Sequence, residues 1–99
     1  MPELPGGESS FWLTTLTVDP SEAGVDREVI RRALEAENIE AHLVWKPMHL
    51  QPYYESAEMV GGDVSSRVFE LGLCLPSDSN LSDDDRDRIT GIVLDTLKA

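Results

Sequence analysis

The sequence has few cysteines and few basic residues, and each shortage argues against a class of protein. Cys74 is the only cysteine, so no internal disulfide can form, which is typical of proteins from reducing compartments. Lys and Arg number 8 against 19 Asp and Glu, which gives a formal net charge of −11. Nucleic acids and anionic membranes bind basic surfaces, so this charge argues against both as partners.

Long apolar runs are missing as well. No stretch approaches the roughly 18–20 apolar residues of a membrane-spanning helix. Residues 1–7 lack the basic and apolar regions of a signal peptide. We therefore expect a cytoplasmic protein without membrane contact. Its 99 residues favour a single domain.

Side chains for covalent or metal chemistry are scarce. A metal site needs three or four convergent ligands, and His42, His49 and Cys74 have no recognised ligand spacing. Cys74 lies between two leucines, which favours a small buried hydrophobic residue over a nucleophile. Neither a Gly-rich phosphate loop nor a Gly-x-Ser-x-Gly motif occurs. The residues alone therefore indicate neither a metal site nor a nucleophile.

The pattern of apolar residues predicts alternating strands and helices. Residues 1–10 are rich in Pro, Gly, Ser and Glu and are typical of a flexible lead-in or linker. Asp19-Pro20 is expected to end the first strand. The remainder, residues 11–99, predicts an α+β domain with a small, mostly antiparallel sheet and helices packed on one face. The predicted strands cover residues 11–18, 39–46 and 73–75, and the helices cover about 27–37, 64–71 and 83–98, with a helical turn within 53–60.

Local signals place the helix ends. Asp26 and Asp63 are expected N-caps, and Ser82 with Asp85 approximates a capping box. Gly72 stands where the left-handed glycine after a helix is common. The predicted buried stripes are Val29, Ile30, Ala33 and Leu34 on the first helix and Ile89, Ile92, Val93 and Leu97 on the last.

Residues 45–52 (WKPMHLQP) contain most of the side chains that could contact a small molecule. Trp45, His49 and Gln51 alternate, so an extended backbone would project all three to one side. Two prolines stiffen the segment. Composition alone favours equally a segment that binds a ligand and one that only fills space in the structure.

The arrangement of several sequence blocks resembles a known family. In order and spacing, they are similar to the C-terminal part of the DegT/DnrJ/EryC1/StrS family, which are pyridoxal-phosphate-dependent aminotransferases acting on nucleotide-linked keto-sugars. The resemblance covers about residues 10–98 and implies the small C-terminal domain of a type I fold aminotransferase. The blocks are FWLTTL (11–16), VDRE (25–28), NIE (38–40), WKPMHLQP (45–52), GLCLPS (72–77) and LSDDD (81–85).

The resemblance also implies what this chain lacks. In the family, a large N-terminal domain holds the cofactor and the Schiff-base lysine. Lys46 and Lys98, the only lysines here, do not match the family's lysine motif. The implied reading is a domain with no catalytic, cofactor or metal residue of its own, inactive alone. Its expected partner is the large pyridoxal-phosphate domain of the same enzyme.

Carried over from the family, residues 45–51 lie at the active-site entrance. Trp45 would form an apolar wall, while His49 and Gln51 would donate hydrogen bonds to the sugar or its diphosphate, or brace the loop. Many relatives have Ser-Arg-Pro at residues 41–43, so the resemblance implies that a basic contact is either lost here or passed to His42. The implied substrate-binding residues are therefore Trp45, His49, Gln51 and His42.

Two further expectations follow. An isolated small domain should expose apolar side chains that the large domain would cover, here Trp45, Met48, Tyr53 and Tyr54, and should self-associate through them. The alternative function is a stand-alone acidic domain of the same fold that binds a small molecule or another protein.

Overall fold

The computed structural model describes residues 3–99, so Met1 and Pro2 of the predicted lead-in lie outside it. Residues 3–10 precede the first strand and contain a turn closed by the Gly7 amide on the Leu4 carbonyl, 2.8 Å away. The predicted α+β class is confirmed. In chain order come β1 (Thr14–Thr17), α1 (Pro20–Ala23), α2 (Arg27–Ala36), β2 (His42–Leu43), two short 3-10 turns (Met48–Leu50 and Pro52–Tyr54), α3 (Val64–Leu71), β3 (Gly72–Leu75) and α4 (Asp83–Lys98).

The sheet has three antiparallel strands in the order β1-β3-β2. Leu16 lies opposite Leu73, whereas Thr15 and His42 lie on either side of Cys74. Residues directly opposite each other in antiparallel strands share a face. The sheet therefore has a core face that contains Leu73 and an open face on which Thr15 and His42 are exposed.

The core lies between the sheet and two helices. Ile30 and Leu34 on α2 are fully buried against Leu73 of β3, and α4 packs along α2. Burying an aliphatic side chain of this size contributes roughly 1.5–3 kcal/mol. The expected packing of helices on one face of the sheet is therefore present. The buried core residues are Val18, Ile30, Leu34, Ala41, Leu73, Ile89 and Val93.

Helix caps explain where α2 and α4 begin. The Asp26 carboxylate accepts the amides of Glu28 and Val29 at 2.9 and 3.0 Å, so it satisfies two donors that the helix leaves free. Ser82 and Asp85 form the full capping box, with side-chain and backbone bonds in both directions. Both predictions are confirmed.

The outer strands are shorter than predicted. Residues 11–18 and 39–46 were expected as strands, but only Thr14–Thr17 and His42–Leu43 pair. Both must pair with β3, which has four residues and is followed by Pro76. Because a proline cannot donate to a ladder, the central strand limits both neighbours.

Two predicted helix signals have other roles. Asp19-Pro20 ends the strand but also begins α1, because Asp19 accepts the Ser21 amide at 3.0 Å and Pro20 occupies the first helical position. Asp63 precedes α3 as expected, yet its side chain makes no capping hydrogen bond there. The predicted N-cap position is therefore confirmed, with the Asp63 carbonyl accepting the Arg67 amide at 2.9 Å, but a capping bond from the side chain is not formed.

Gly72 is needed for space and not for a left-handed backbone. Its φ and ψ are −85° and 141°, because α3 passes directly into β3 without a left-handed residue. A Cβ at this position would collide with the Val44 side chain and the Val68 carbonyl. The predicted left-handed glycine is wrong, and close packing is the physical reason for the residue.

Three side chains are less buried than predicted. Val29 and Leu97 are 45% and 38% exposed, so the buried stripes of α2 and α4 are narrower than the sequence pattern suggests. Cys74 is half-buried, because it points to the open face of the sheet with Thr15. The Cys74 Sγ and Thr15 Oγ1 atoms are 3.7 Å apart.

Candidate functional site

The segment over residues 45–52 is folded and not extended. Pro47 precedes a 3-10 turn in which the Leu50 amide donates to the Pro47 carbonyl and the Gln51 amide to the Met48 carbonyl, each at 3.0 Å. The expectation that an extended backbone projects Trp45, His49 and Gln51 to one side is therefore wrong.

His49 contacts α3. Its Nε2 lies 2.9 Å from the Ser66 hydroxyl, and both residues are half-buried. The partner is 17 positions along the chain, so this bond fixes the loop against another element. A half-buried hydrogen bond of this kind contributes about 1 kcal/mol to stability.

Gln51 closes the same loop on itself. Its side-chain amide donates to the Lys46 carbonyl at 3.0 Å, which joins the two ends of the segment. Gln51 is half-buried. Together, the side chains of His49 and Gln51 hold the loop in one shape.

Trp45 stacks on Trp12, a partner that the sequence did not indicate. The ring centroids are 5.2 Å apart and the ring planes are tilted by 33°. Such offset aromatic pairs contribute about 0.5–1.5 kcal/mol beyond the area they bury. Each tryptophan nevertheless stays 66% exposed, so most of the pair faces solvent.

His42 lies on the open face of the sheet at its β2 edge. Its Nε2 is 3.4 Å from the Glu40 carboxylate, and its side chain is 72% exposed. It lies opposite Cys74 in the strand register. His42 is therefore accessible to a ligand from solvent.

A cavity of about 790 Å³ brings His42 and Trp45 together, and we call it the edge cavity. This volume suits a small organic ligand, and the mixture of aliphatic, aromatic and charged walls is typical of such sites. His49 and Gln51 do not line it. Its walls include Leu13, His42, Leu43, Trp45, Cys74, Leu75, Leu81, Asp85, Arg88 and Ile89.

The charged groups of the edge cavity already have protein partners. Arg88 donates to the Glu37 carbonyl at 2.8 Å and to the Glu37 carboxylate at 3.1 Å. Hydrogen bonds from Ser82 hold the pKa of the Asp85 carboxyl below its ordinary value. The edge cavity would therefore contact a ligand through its shape and its apolar walls more than through unpaired charges.

Several apolar side chains within residues 45–54 are exposed, as expected for a surface that another domain covers. Met48 and Tyr53 are 56% and 87% exposed, and Trp45 is also largely open. Tyr54 differs, because it is half-buried with its ring edge-on to Tyr53 at 5.0 Å. We call Trp45, Met48 and Tyr53 the exposed apolar group.

The lysines do not fit a covalent pyridoxal phosphate site. Lys46 and Lys98 are exposed, and neither lines the edge cavity. A Schiff-base lysine is activated in a desolvated pocket or beside another cationic group, and an exposed surface supplies neither. Over residues 3–99, no three His, Cys, Asp or Glu side chains are placed to hold a metal ion. None of the helices in this part of the chain is long and apolar enough to cross a membrane.

Comparison with known proteins gives a family for the whole chain. A model described as the DegT/DnrJ/EryC1/StrS aminotransferase family matches residues 1–94. EpsN of Bacillus subtilis (strain 168), assigned as a pyridoxal phosphate-dependent aminotransferase, is 41% identical over 98 residues, which are 95% of this chain and 24% of EpsN. The spore coat polysaccharide biosynthesis protein SpsC of the same strain is 31% identical over 96 residues, 93% of this chain and 25% of SpsC.

Solved structures give the same match. A DegT DnrJ EryC1 StrS aminotransferase from Brucella abortus superposes with a TM-score of 0.80 at 29% identity, over 99% of this chain and 26% of that protein. The small antiparallel sheet with its helices is therefore a part of the aminotransferase fold, as the sequence predicted. The chain spans about a quarter of the length of the relatives it matches.

Proposed function

This chain belongs to the DegT/DnrJ/EryC1/StrS aminotransferase family, and from that premise we propose that residues 11–99 act as the small C-terminal domain of a nucleotide-sugar aminotransferase. The match over residues 1–94 carries the proposal, and the polysaccharide role in the name of SpsC supports a sugar substrate. Pyridoxal phosphate would supply the electron sink of the reaction and would be held by the rest of the enzyme. We propose the cytoplasm as the location, in keeping with the single cysteine.

The proposed role of this domain is to form one wall of the substrate entrance. Trp45 gives that wall an apolar surface, and His42 gives it an accessible hydrogen-bonding group beside the edge cavity. A sugar has apolar ring faces and polar hydroxyls, so an indole and an imidazole together suit it.

His49 and Gln51 are proposed to position the wall. Their side-chain nitrogens are bonded to Ser66 and to the Lys46 carbonyl, which favours bracing over direct contact with the sugar. A wall held in its bound shape loses less conformational entropy when the substrate arrives. Of the two roles that the resemblance implied for these residues, bracing is the one we propose.

The proposed partner is the large domain of the same enzyme. The exposed apolar group of Trp45, Met48 and Tyr53 is the surface that such a domain would cover. About three quarters of the length of the relatives lies outside this chain, which leaves room for that domain. The cofactor lysine is expected there, because Lys46 and Lys98 do not fit the role.

A chimera tests this proposal. The C-terminal quarter of EpsN is replaced by this chain, and amino-group transfer to a panel of nucleotide-linked keto-sugars is compared with that of EpsN lacking the quarter. We expect the chimera to regain transfer and Trp45→Ala to reduce it. Phe11→Ala, which removes another highly exposed aromatic ring, is the control that should retain activity. A folded chimera no more active than the truncated protein would refute the proposal.

The isolated chain provides a second test. After incubation with pyridoxal phosphate and reduction with borohydride, we expect no adduct at a specific lysine. A stoichiometric adduct at Lys46 would contradict the proposed dependence on another domain. It would instead favour the alternative of a stand-alone ligand-binding domain.

A further inference from the structure

The outer edge of β1 has no strand beside it in the described part of the chain. β1 pairs only with β3, and three of its four residues are exposed. The Thr14 amide donates to the Ser77 hydroxyl at 2.7 Å and the Val18 amide to the Leu71 carbonyl at 2.9 Å, so the even-numbered residues bond toward β3. Because the direction alternates along a strand, Thr15 and Thr17 present their backbone amides and carbonyls outward.

The residues along this edge are uncharged in an otherwise acidic protein. Residues 11–18 (FWLTTLTV) contain no charged residue, no proline and no glycine, whereas the whole chain has a net charge of −11. Thr, Val and aromatic residues favour strands, and natural proteins usually protect such an edge with charges or proline. No such protection is present in this segment.

The opposite edge of the sheet differs. β2 has only two residues. Glu40 lies shortly before it, and Lys46 and Pro47 lie shortly after it. A short edge flanked by charges and a proline resists pairing with another chain. β1 is also followed by a charge and a proline, Asp19 and Pro20, but its four residues make it twice as long as β2, so the sheet is more open to extension at β1.

We propose that β1 pairs antiparallel with β1 of a second copy of this chain. The contact is two-fold symmetric, so the same neutral edge meets itself and no carboxylates of β1 oppose each other. The two three-stranded sheets become one continuous six-stranded sheet. None of the residues that pair, 13–17, belongs to the exposed apolar group proposed for the large domain, although Trp12, just before them, contacts Trp45 of that group.

The alternation fixes the register of this pairing. Placing Thr15 opposite Thr15 of the second copy brings Leu13 opposite Thr17. The outward backbone amides and carbonyls of these residues then face those of the second copy. Each such pair exchanges two backbone hydrogen bonds, giving about six in the contact. Leu16 then lies beside Thr14 of the second copy on the core face of the extended sheet.

Sedimentation equilibrium of the 99-residue chain tests the proposal. We expect a monomer–dimer equilibrium that Thr15→Lys weakens about tenfold or more, because two ammonium groups then lie directly opposite each other. Ser56→Lys adds the same charge at an exposed position outside β1 and should leave the equilibrium unchanged. A wild-type chain that remains monomeric at all concentrations would overturn the proposal, as would a Thr15→Lys dimer of unchanged strength.

Amide hydrogen exchange tests the wild-type chain without any substitution. The amides of Thr15 and Thr17 should become protected as concentration rises, while the Thr14 and Val18 amides, bonded within one copy, should be protected throughout. Protection that appears at the exposed apolar group instead of at Thr15 and Thr17 would place the dimer contact elsewhere and refute this inference.

Discussion

The bond between His49 and Ser66 allows the bracing role to be separated from a direct substrate contact. His49 Nε2 lies 2.9 Å from the Ser66 hydroxyl, and Ser66 is on α3, away from the walls of the edge cavity. If His49 acts by holding the loop, Ser66→Ala should reproduce the effect of His49→Ala. If His49 instead touches the substrate, Ser66→Ala should be nearly silent.

The expected magnitude follows from the geometry. A half-buried neutral hydrogen bond contributes about 0.5–1.5 kcal/mol net, so each single variant should lose about 1 kcal/mol of unfolding free energy. The double variant should lose less than the sum of the singles, with a coupling of about 1 kcal/mol. For a domain of this size, a loss of 1 kcal/mol lowers the melting temperature by roughly 4–8 °C.

Urea unfolding followed by far-ultraviolet circular dichroism measures these stabilities. Ser65→Ala is the matched control, because it makes the same serine-to-alanine change on α3 at an exposed neighbouring position. Alanine favours a helix more than serine does, and both serine variants gain this stability equally. The difference between their unfolding free energies therefore reports the lost hydrogen bond alone. Additive stability losses in the double variant would refute the bracing bond.

The same variants in the EpsN chimera report on function. Bracing predicts that His49→Ala and Ser66→Ala reduce amino-group transfer by similar factors, since both release the same loop. A large loss for His49→Ala with normal transfer for Ser66→Ala would contradict bracing and favour direct contact with the sugar. Ser65→Ala should leave transfer unchanged.

Three further predictions concern stability. Gly72→Ala should lower the unfolding free energy by about 1–3 kcal/mol, because the added Cβ overpacks the space. Gly91→Ala on α4 should raise it by roughly 0.5–1 kcal/mol, because its Cβ meets open space and alanine favours a helix. Calorimetric melting of both variants checks this pair. Ser82→Ala removes the cap of α4 and should cost about 1 kcal/mol in urea unfolding, and an unchanged midpoint would show that the capping box is not stabilising. The hydrogen bond from Arg31 lowers the pKa of Glu28 from 4.5 to about 2, so charged Glu28 stabilises the fold above pH 4.5 and this contribution is lost as the pH falls toward 2. Glu28→Gln should therefore be less stable than the wild type at neutral pH and equal to it near pH 2. A constant difference across this range would contradict the assignment.

α2, α3 and α4 could be predicted from the sequence because local chemistry determines their ends, whereas the short α1 was not predicted. Asp26 and Ser82 lie one residue before α2 and α4 begin, as the capping patterns indicated. Strand lengths depend on pairing partners, which no local pattern contains. β3 has only four residues, so both outer strands end early despite their strand-forming composition.

The site was predicted less completely, for the same reason. Residues 45–52 were identified as the segment with ligand-like side chains, but their contacts depend on distant residues. Ser66 is 17 positions from His49, and Trp12 is separated from Trp45 by β1, α1, α2 and β2, so neither contact has a local signal. The roles of Trp45, His49, Gln51 and His42 toward a substrate stay predictions.

The stacking of Trp12 on Trp45 also determines which part of this protein tryptophan fluorescence reports on. These are its only two tryptophans, and they lie in one contact, so all indole fluorescence comes from a single place. Excitation at the red edge of the indole band would follow the proposed entrance wall as a ligand or another domain covers it. The helical core would contribute nothing to that signal. Disagreement between indole emission and helical dichroism during unfolding would therefore show the wall separating before the core melts.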